Sequence, residues 1–351
     1  MAISRKAKKK EQQLLECARV RTMPSIIRPM LATLVDEPFS DPEWIFETKW
    51  DGFRSICFIS NGATRFVSRN QIEMTQNYPE LKNIARQVEA KGAILDGEIV
   101  ALDEHGMPRF QLLQPRVGRK SGIEALRGKG QIVYFVFDLL YCNGSDLTAC
   151  GLIERKAMLE RILRPASFVK YSEHIEGEGK RFFKEIKKFH LEGMMAKRVA
   201  SVYLQKRSSD WLKIKTVQRS EVVIGGYTKP RGARPYFGAL VVGLYRGDDL
   251  HYVAHTGGGF NERMLEKIFK LMQPLKTSHC PFVVKPKTNE PVQWIKPKIV
   301  AEVKFSEWTA DHRMRHPIFI GLREDKKPED CQFELERDTD TIVDVRSRKR
   351  K

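Results

Sequence analysis

Residues 47–54, with the sequence ETKWDGFR, include a lysine that could act as a covalent nucleophile. If this segment begins in a strand, the period of two sends Glu47 and Lys49 to the same face, and Gly52 allows close approach of the backbone to a ligand. A lysine attacks only when it is neutral, and its ordinary pKa is about 10.4. A cation about 6 Å away would lower that pKa by about two units, and Arg54 is the first candidate. The alternative is a surface strand whose lysine pairs with neighbouring carboxylates.

A second basic group lies in residues 211–215, with the sequence WLKIK. In a strand, Lys213 and Lys215 share a face, so that two like charges lie side by side. We expect them to meet an anion. The alternative is an exposed strand edge protected by lysines.

Two further segments read as buried strands that contain candidate ligand-binding residues. Residues 93–102 are apolar except for two carboxylates, and burial of charge is costly without compensation. Glu98 is therefore a candidate for contact with a sugar hydroxyl or a hydrated metal, or else for a salt bridge. Residues 132–141 form the most apolar stretch, in which Phe137 is a core residue by default and could alternatively stack on a base.

The chain has 351 residues and a net charge of +18, which predicts two domains and a polyanionic partner such as nucleic acid. Ten of these charges lie in two terminal runs: Arg5, Lys6, Lys8, Lys9 and Lys10, and then Arg346, Arg348, Lys349, Arg350 and Lys351. Subtracting ten from +18 leaves +8 on the body of the chain. The alternative for the two ends is solvated tails or a localisation signal.

The six cysteines lack metal-binding spacing, and they predict reduced thiols in a cytosolic protein. No apolar run approaches the length of a membrane span.

The pattern predicts an α+β fold in four parts: a basic arm over 1–23, a first domain over 24–217, a barrel over 218–340 and a basic tail over 341–351. Asn61-Gly62 predicts a hairpin turn. Helices are expected over 152–163 and 180–190, with a third beginning after Asn261 as its N-cap. Short strands and one helix after residue 216 indicate a small barrel of the OB type.

The order of the motifs resembles that of ATP-dependent DNA ligases and mRNA capping enzymes, the covalent nucleotidyltransferases. The motifs, in order, are residues 47–54, Ser68-Arg69-Asn70, Asp96-Gly97-Glu98, Phe137-Asp138-Leu139-Leu140, residues 192–197 and residues 211–215. Segments of the second part, among them Gly321 to Lys326, are similar to the ligase domain of bacterial non-homologous end-joining ligase D. The resemblance implies a nucleotidyltransferase (adenylation) domain with antiparallel sheets, followed by a C-terminal OB-fold barrel.

The resemblance also implies a role for each candidate residue. Lys49 would form a lysyl-AMP with ATP, and the phosphate would be neutralised by Lys213 and Lys215. The remaining assignments are as follows: Glu47, Thr48, Arg54, Glu98 and Phe137 for the nucleoside, Arg69 for phosphate, Glu192 and Glu98 for Mg²⁺ or Mn²⁺, and Arg323, Asp325 and Lys326 for the leaving pyrophosphate.

The implied activity is sealing of nicked or broken duplex DNA in a bacterial, nucleoid-associated cytoplasmic protein. A monomer is expected, with Ku and separate repair polymerases as potential partners and no membrane. The resemblance also implies that the barrel swings about residues 216–220 between steps. The alternatives are an RNA ligase or a capping guanylyltransferase with the same lysine chemistry, and a non-catalytic OB-fold nucleic-acid-binding protein.

Overall fold

The structure is a computed structural model that describes residues 17–116, 130–230, 232, 234–334 and 337–348. It divides into two compact units, of which the first comprises Met1–Thr216 with Leu335–Lys351 and the second Val217–Glu334. The N-terminal basic run and residues 349–351 lie outside the described residues.

Within its described residues, the first unit contains two β-sheets and three helices. Its strands are β1 (Arg19–Val20), β2 (Leu31–Leu34), β3 (Asp41–Thr48), β4 (Phe53–Ser60), β5 (Ala63–Ser68), β6 (Gly92–Leu102), β7 (Gln131–Cys142), β8 (Ser145–Asp146), β9 (Val169–Tyr171), β10 (His174–Gly177), β11 (Gly193–Arg198) and β12 (Arg207–Lys215). The helices are α1 (Leu152–Ile162), α2 (Gly179–Lys188) and α4 (Thr339–Arg348). Short 3-10 turns lie at Thr75–Asn77, Pro79–Leu81, Ile84–Gln87, Phe110–Leu112 and Gln114–Arg116.

The first sheet has the order β1-β8-β7-β6-β4-β5, with β9 beside β7, and the second has the order β10-β3-β11-β12-β2. Pairing is antiparallel except for β7 with β9 and β12 with β2. The hairpin predicted at Asn61-Gly62 joins β4 to β5, and both turn residues have positive φ, 48° and 83°. The predicted core strand 132–141 lies within β7 and is buried.

The two faces of the second sheet differ in chemistry. Phe46, Ala196 and Leu212 are register partners across β3, β11 and β12, and they belong to the apolar cluster that α2 covers with Phe183 and Ile186. The adjacent register row includes Glu47 and Lys213, which point to the opposite face because successive residues of a strand alternate. The face away from α2 therefore carries charged side chains beside apolar ones.

The second unit contains the predicted short strands and single long helix. These are β13 (Gln218–Thr228), β14 (Leu240–Arg246), β15 (Asp249–Thr256), α3 (Glu262–Met272), β16 (Lys276–Thr277), β17 (Val292–Phe305) and β18 (Ile318–Leu322). Short 3-10 turns lie at Gln273–Leu275 and Pro328–Asp330. The sheet order is β15-β14-β13-β17-β16, with β18 beside β17. Asn261 caps α3 as predicted, because its Oδ1 accepts a hydrogen bond from the Met264 N–H at 2.8 Å.

The two ends of the chain differ from the sequence-based division. At the N-terminal end, β1 lies in the segment predicted to be an appended arm, and it pairs with β8. At the C-terminal end, residues 335–351 group with the first unit, whereas we predicted a barrel up to residue 340 and a tail beyond it. Ile342 and Val343 of α4 pack against the apolar cluster under α2. Burial of these two side chains explains why the segment forms a helix on the first unit.

The cysteine prediction is wrong for one pair, since Cys17 and Cys150 form a disulfide. The pairing joins residues 133 positions apart, which local spacing could not reveal. Among the described residues, Cys57, Cys142 and Cys331 are buried free thiols, and Cys280 is a half-buried one. No helix in the described parts of the chain is both long enough and apolar enough to cross a membrane.

We expect Thr339→Val to loosen α4. The buried Thr339 hydroxyl accepts a hydrogen bond from the Glu37 N–H at 3.1 Å and lies 2.9 Å from Asp36 Oδ1. Valine keeps the shape of the threonine side chain but removes its hydroxyl. The groups that bonded to the hydroxyl lose this partner, which costs about 1–3 kcal/mol of stability. Hydrogen exchange of the α4 amides should become about tenfold faster or more. The exposed Thr341→Val is the matched control, and equal exchange in the two variants would contradict the contact.

Candidate active site

Lys49 directly follows β3, on the charged side of the second sheet. Its N–H donates to the Gly193 carbonyl at 2.9 Å, and its Nζ contacts Glu192 Oε1. The lysine side chain is 21% exposed and that of Glu192 7%, so this ion pair is shielded from water but can be reached.

The pKa of Lys49 is raised above the ordinary lysine value. Burial by itself lowers this pKa, but the carboxylates of Glu192, Glu98 and Asp51 outweigh the burial. The prediction that cationic neighbours lower the pKa of Lys49 is therefore wrong in this arrangement, because the charges acting most strongly on Nζ are negative.

Gly52 permits a close approach, but to the protein's own backbone. A Cβ at this position would overlap the carbonyl oxygen of Ile99 and press on Glu98 Cγ. The glycine thus allows the turn after Lys49 to pack directly against β6.

Arg54 is held by a buried carboxylate. Its Nε and Nη2 donate to Asp96 Oδ1 and Oδ2 at 2.9 and 2.7 Å, and the Tyr203 hydroxyl donates to the same carboxylate at 2.6 Å. Burial would lower the pKa of Arg54, but Asp96 raises it above its ordinary value. The charge of Arg54 is thus compensated by Asp96, which explains why it does not act as the predicted depressor of the Lys49 pKa.

Glu47 is fully buried between two lysines. Lys156 of α1 donates to Oε1 and Lys197 of β11 donates to Oε2, each at 2.7 Å. Burial would raise the pKa of Glu47, but the two ammonium groups hold it below its ordinary value. Burial lowers the pKa of Lys197 to about 8, although Glu47 opposes this shift.

Phe137 lies at the boundary between the core and this charged group. Its ring contacts Trp211 edge-on, with centroids 6.2 Å apart. Lys197 Nζ lies 4.1 Å and Arg54 Cζ 5.0 Å from the ring centroid. The side chain is 8% exposed, which agrees with a core position and leaves stacking on a base as a prediction.

The sheet register brings further candidates to the same face. Glu47, Met195 and Lys213 are register partners, as are Gly193 and Lys215, and the Gly193 carbonyl accepts the Lys49 N–H. Lys213 and Lys215 therefore project from the sheet face that carries Glu47 and Lys49, and both are half-buried.

The other first-unit candidates lie at strand ends or on β6. Thr48 is the last residue of β3, and Arg69 follows β5 directly; both are half-buried. Glu98 lies opposite Arg54 in the pairing of β6 with β4. Because Glu98 acts electrostatically on Lys49, it belongs to the same group of charges.

The three candidates in the second unit form ion pairs within that unit. Arg323 donates from Nε and Nη2 to the two carboxylate oxygens of Asp325, each at 2.9 Å, and from Nη1 to Glu302 at 3.1 Å. Lys326 Nζ lies 2.9 Å from Glu221 Oε1. The predicted contact of this group with pyrophosphate stays a prediction.

Within the described residues, no cluster of three or more His, Cys, Asp or Glu side chains could hold a metal by itself. Glu192 and Glu98 both act on Lys49, so two carboxylates lie close to its ammonium group. Mg²⁺ commonly uses one or two carboxylates together with waters and phosphate oxygens. The donor set therefore fits Mg²⁺ bound together with a nucleotide.

Sequence reasoning gave no role to four residues of this site: Asp96, Lys156, Lys197 and Tyr203. One signal was available for Lys156. It lies at the i+4 position from Leu152 and three residues before Leu159, on the buried face of α1, so a charged partner was needed.

Two family models match the chain: the ATP dependent DNA ligase domain over residues 29–215, and the ATP dependent DNA ligase C terminal region over residues 233–326. The chain is 38% identical over 311 residues to the multifunctional non-homologous end joining protein LigD of Pseudomonas aeruginosa, covering 87% of this chain and 36% of the relative. It is 35% identical to the LigD protein of Mycolicibacterium smegmatis, covering 89% and 40%. It is 32% identical to a DNA ligase of Thermococcus onnurineus, covering 87% and 57%.

A solved structure of mycobacterial DNA ligase D complexed with ATP and MES matches with a TM-score of 0.63 and 32% identity, covering 87% of this chain and 97% of that chain. The chain belongs to the family of ATP-dependent DNA ligases. The predicted α+β fold, with a nucleotidyltransferase domain and a C-terminal OB-fold domain, is confirmed. The chain spans 36% and 40% of the lengths of the two LigD relatives.

We expect Lys197→Met to change how stability depends on pH. The pKa of Lys197 is about 8 in the folded protein, below the value of about 10.4 in an unfolded chain. Between these pH values the unfolded chain binds more protons, so the contribution of Lys197 to folding becomes more favourable as pH rises. The free energy of unfolding of the wild type, minus that of the variant, should be constant below pH 8 and rise above it.

The measurement is urea unfolding at several pH values from about 7 to about 10. The rise should be on the order of 3 kcal/mol across the full window. The exposed Lys91→Met controls for removal of a lysine. A difference that stays level with pH would contradict the effect of burial on Lys197.

Proposed function

We propose that this protein is an ATP-dependent DNA ligase that seals nicks or breaks in duplex DNA through a lysyl-AMP intermediate on Lys49. The observation that carries the proposal is the placement of Lys49, Lys213 and Lys215 on one sheet face, with Glu192 in contact with the Lys49 amine. A nucleophile beside cationic groups suits attack on a phosphate.

In the first step, the lone pair of Lys49 Nζ forms a bond to the α-phosphorus of ATP. The bond from that phosphorus to the bridging oxygen breaks, and pyrophosphate leaves with the electron pair. Because the pKa of Lys49 is raised, its ammonium must lose one proton to solvent before it attacks. The nitrogen loses a second proton as the P–N bond forms, and the Glu192 carboxylate in contact with Nζ is placed to accept it. Lys213 and Lys215 would stabilise the negative charge that develops on the phosphate.

The nucleoside would bind beside Lys49 and β6. Arg54 and Glu98 would contact the ribose, and Phe137 the base. Glu47 would complete this side of the site, and Thr48, whose side chain alternates to the other face of the sheet, would contribute through its backbone, with Arg69 contacting phosphate. The Asp96 carboxylate fixes the orientation of Arg54 by two hydrogen bonds, so it would position that side chain for the ribose.

Glu192 and Glu98 would hold Mg²⁺ or Mn²⁺, and the metal would supply positive charge to the phosphate oxygens. Arg323, Asp325 and Lys326 would orient pyrophosphate in the first step. A swing of the barrel about residues 216–220 would then allow DNA to bind in the later steps.

The next two steps transfer the nucleotide and join the strands. An oxygen of the DNA 5′-phosphate attacks the α-phosphorus of the lysyl-AMP, and the P–N bond breaks as the nitrogen regains a proton, which returns the amine of Lys49. The 3′-hydroxyl then attacks the 5′-phosphorus with loss of its proton, the bond from that phosphorus to the bridging oxygen breaks, and AMP leaves with the electron pair. Both reactions exchange one bond to phosphorus for another, so the cationic groups of the first step can serve again.

We further propose that the protein acts as a monomer in the bacterial cytoplasm, near the nucleoid, in the repair of broken DNA. Ku and separate repair polymerases are the proposed partners. The similarity to proteins named for non-homologous end joining supports this assignment.

The test is incubation with α-labelled ATP, Mg²⁺ and a nicked duplex, followed by a denaturing gel. Lys49→Ala should lose the labelled protein and strand joining by at least about 10³-fold, because the P–N bond needs this amine. Lys91→Ala, at an exposed position, should retain both.

A matched nicked RNA substrate separates DNA sealing from the RNA ligase alternative, and labelled GTP separates it from guanylyl transfer. Failure of the wild type to form an adenylate on Lys49 would refute the proposal. So would an adduct that persists in Lys49→Ala.

A further inference from the structure

Helix α2 carries positive charge on its solvent side, and the exposed acidic residues Glu176 and Glu178 precede it. Residues 180–190 contain five cationic residues and one acidic residue, a net charge of +4. The five cationic residues are exposed, and we call them the α2 basic face: Lys180, Arg181, Lys184, Lys187 and Lys188. Glu185 lies 3.8 Å from Lys188, but these side chains are 55% and 71% exposed, so the pair neutralises little of the charge.

The helix that carries this face is firmly attached to the sheet. Phe183 and Ile186 are buried beneath it, and the Lys180 N–H donates to Ser40 Oγ at 3.0 Å. A Cβ at Gly179 would overlap the Phe39 carbonyl and the Phe46 ring, so the helix begins in direct contact with the sheet. The charges are therefore presented from a fixed surface.

The α2 basic face lies on the other side of the sheet from the candidate active site. Phe46 points into the apolar cluster under α2, whereas Glu47 beside it pairs with lysines on the opposite face. Alternation along β3 thus places α2 and Lys49 on opposite sides of one sheet. A nucleotide bound at Lys49 cannot be the anion that these charges meet.

The second basic segment of the chain begins in α4. Ile342 and Val343 of α4 pack against the cluster that α2 covers, and residues 346 and 348 of this helix are arginines. The function proposed above gives no role to α2 or α4.

We propose that the α2 basic face binds the phosphate backbone of duplex DNA, as a contact separate from the active site. This goes beyond the ligase activity proposed above. Lys180, Lys184 and Lys187 span about 10 Å of helix axis, at a rise of 1.5 Å per residue. One DNA strand carries a charge about every 3.4 Å of axis, so this span matches about three phosphates. Lysine ammonium groups bind such phosphates without reading sequence.

The test compares the wild type with Lys180→Gln/Lys184→Gln/Lys187→Gln, since glutamine has a helix propensity similar to that of lysine. Binding of a fluorescent, intact duplex of about 40 base pairs is measured between about 50 and about 200 mM salt. The slope of log affinity against log salt should become shallower by about 2.7, which is about 0.9 for each of three phosphates. Affinity at the lowest salt should fall about tenfold or more, and AMP labelling of Lys49 should stay within about twofold.

The control is Lys82→Gln/Lys91→Gln/Lys170→Gln, which removes three exposed lysines outside α2. An unchanged slope in the α2 variant, or an equal loss in the control, would overturn the proposal. Wild-type protein that binds the duplex but forms no adenylate would instead refute the proposed ligase activity and leave the α2 contact standing.

Discussion

The carboxylate of Glu47, buried between the ammonium groups of Lys156 and Lys197, constrains the interior of the first unit. A buried carboxylate without partners would cost several kcal/mol, so α1, β3 and β11 must meet at this point. Lys49 lies two residues further along, where the chain leaves β3. The interaction that compensates the buried charge thus also fixes the strand end from which Lys49 projects.

Charge compensation recurs in both units of the chain. Arg54 is held by Asp96, Lys49 contacts Glu192, and Arg323 of the second unit pairs with Asp325. Each cation of this kind is oriented by a carboxylate, and an anionic substrate must then compete with that carboxylate or join it. The arrangement keeps long side chains in defined positions, which lowers the conformational entropy lost when a phosphate binds.

Local features of the fold were predictable because their causes are local. Asn61-Gly62 has the two positive φ angles that a tight hairpin needs, and Asn261 supplies a side-chain acceptor at a helix start. The apolar run of β7 is buried as its composition required. The family could also be predicted from the order of the sequence motifs, because the spacing of these motifs reflects the organisation of the whole domain.

The features that were missed depend on partners distant in sequence. The sign of the Lys49 pKa shift depends on Glu192, which lies 143 positions away, and the ion pair of Glu47 with Lys156 joins residues 109 positions apart. The Cys17–Cys150 disulfide and the packing of α4 on the first unit also depend on partners distant in sequence. A pattern read along the chain gives the face on which a side chain lies, but not the charge that it will meet there.

The return of the C-terminal segment to the first unit has a consequence for biosynthesis. Thr339 bonds to Asp36 and Glu37 across separations of 303 and 302 residues, with the whole second unit between them. During translation the early strands must therefore wait, with part of their apolar surface uncovered, until the ribosome has made the segment that contains Thr339. The barrel can complete its own core before the domain that precedes it does.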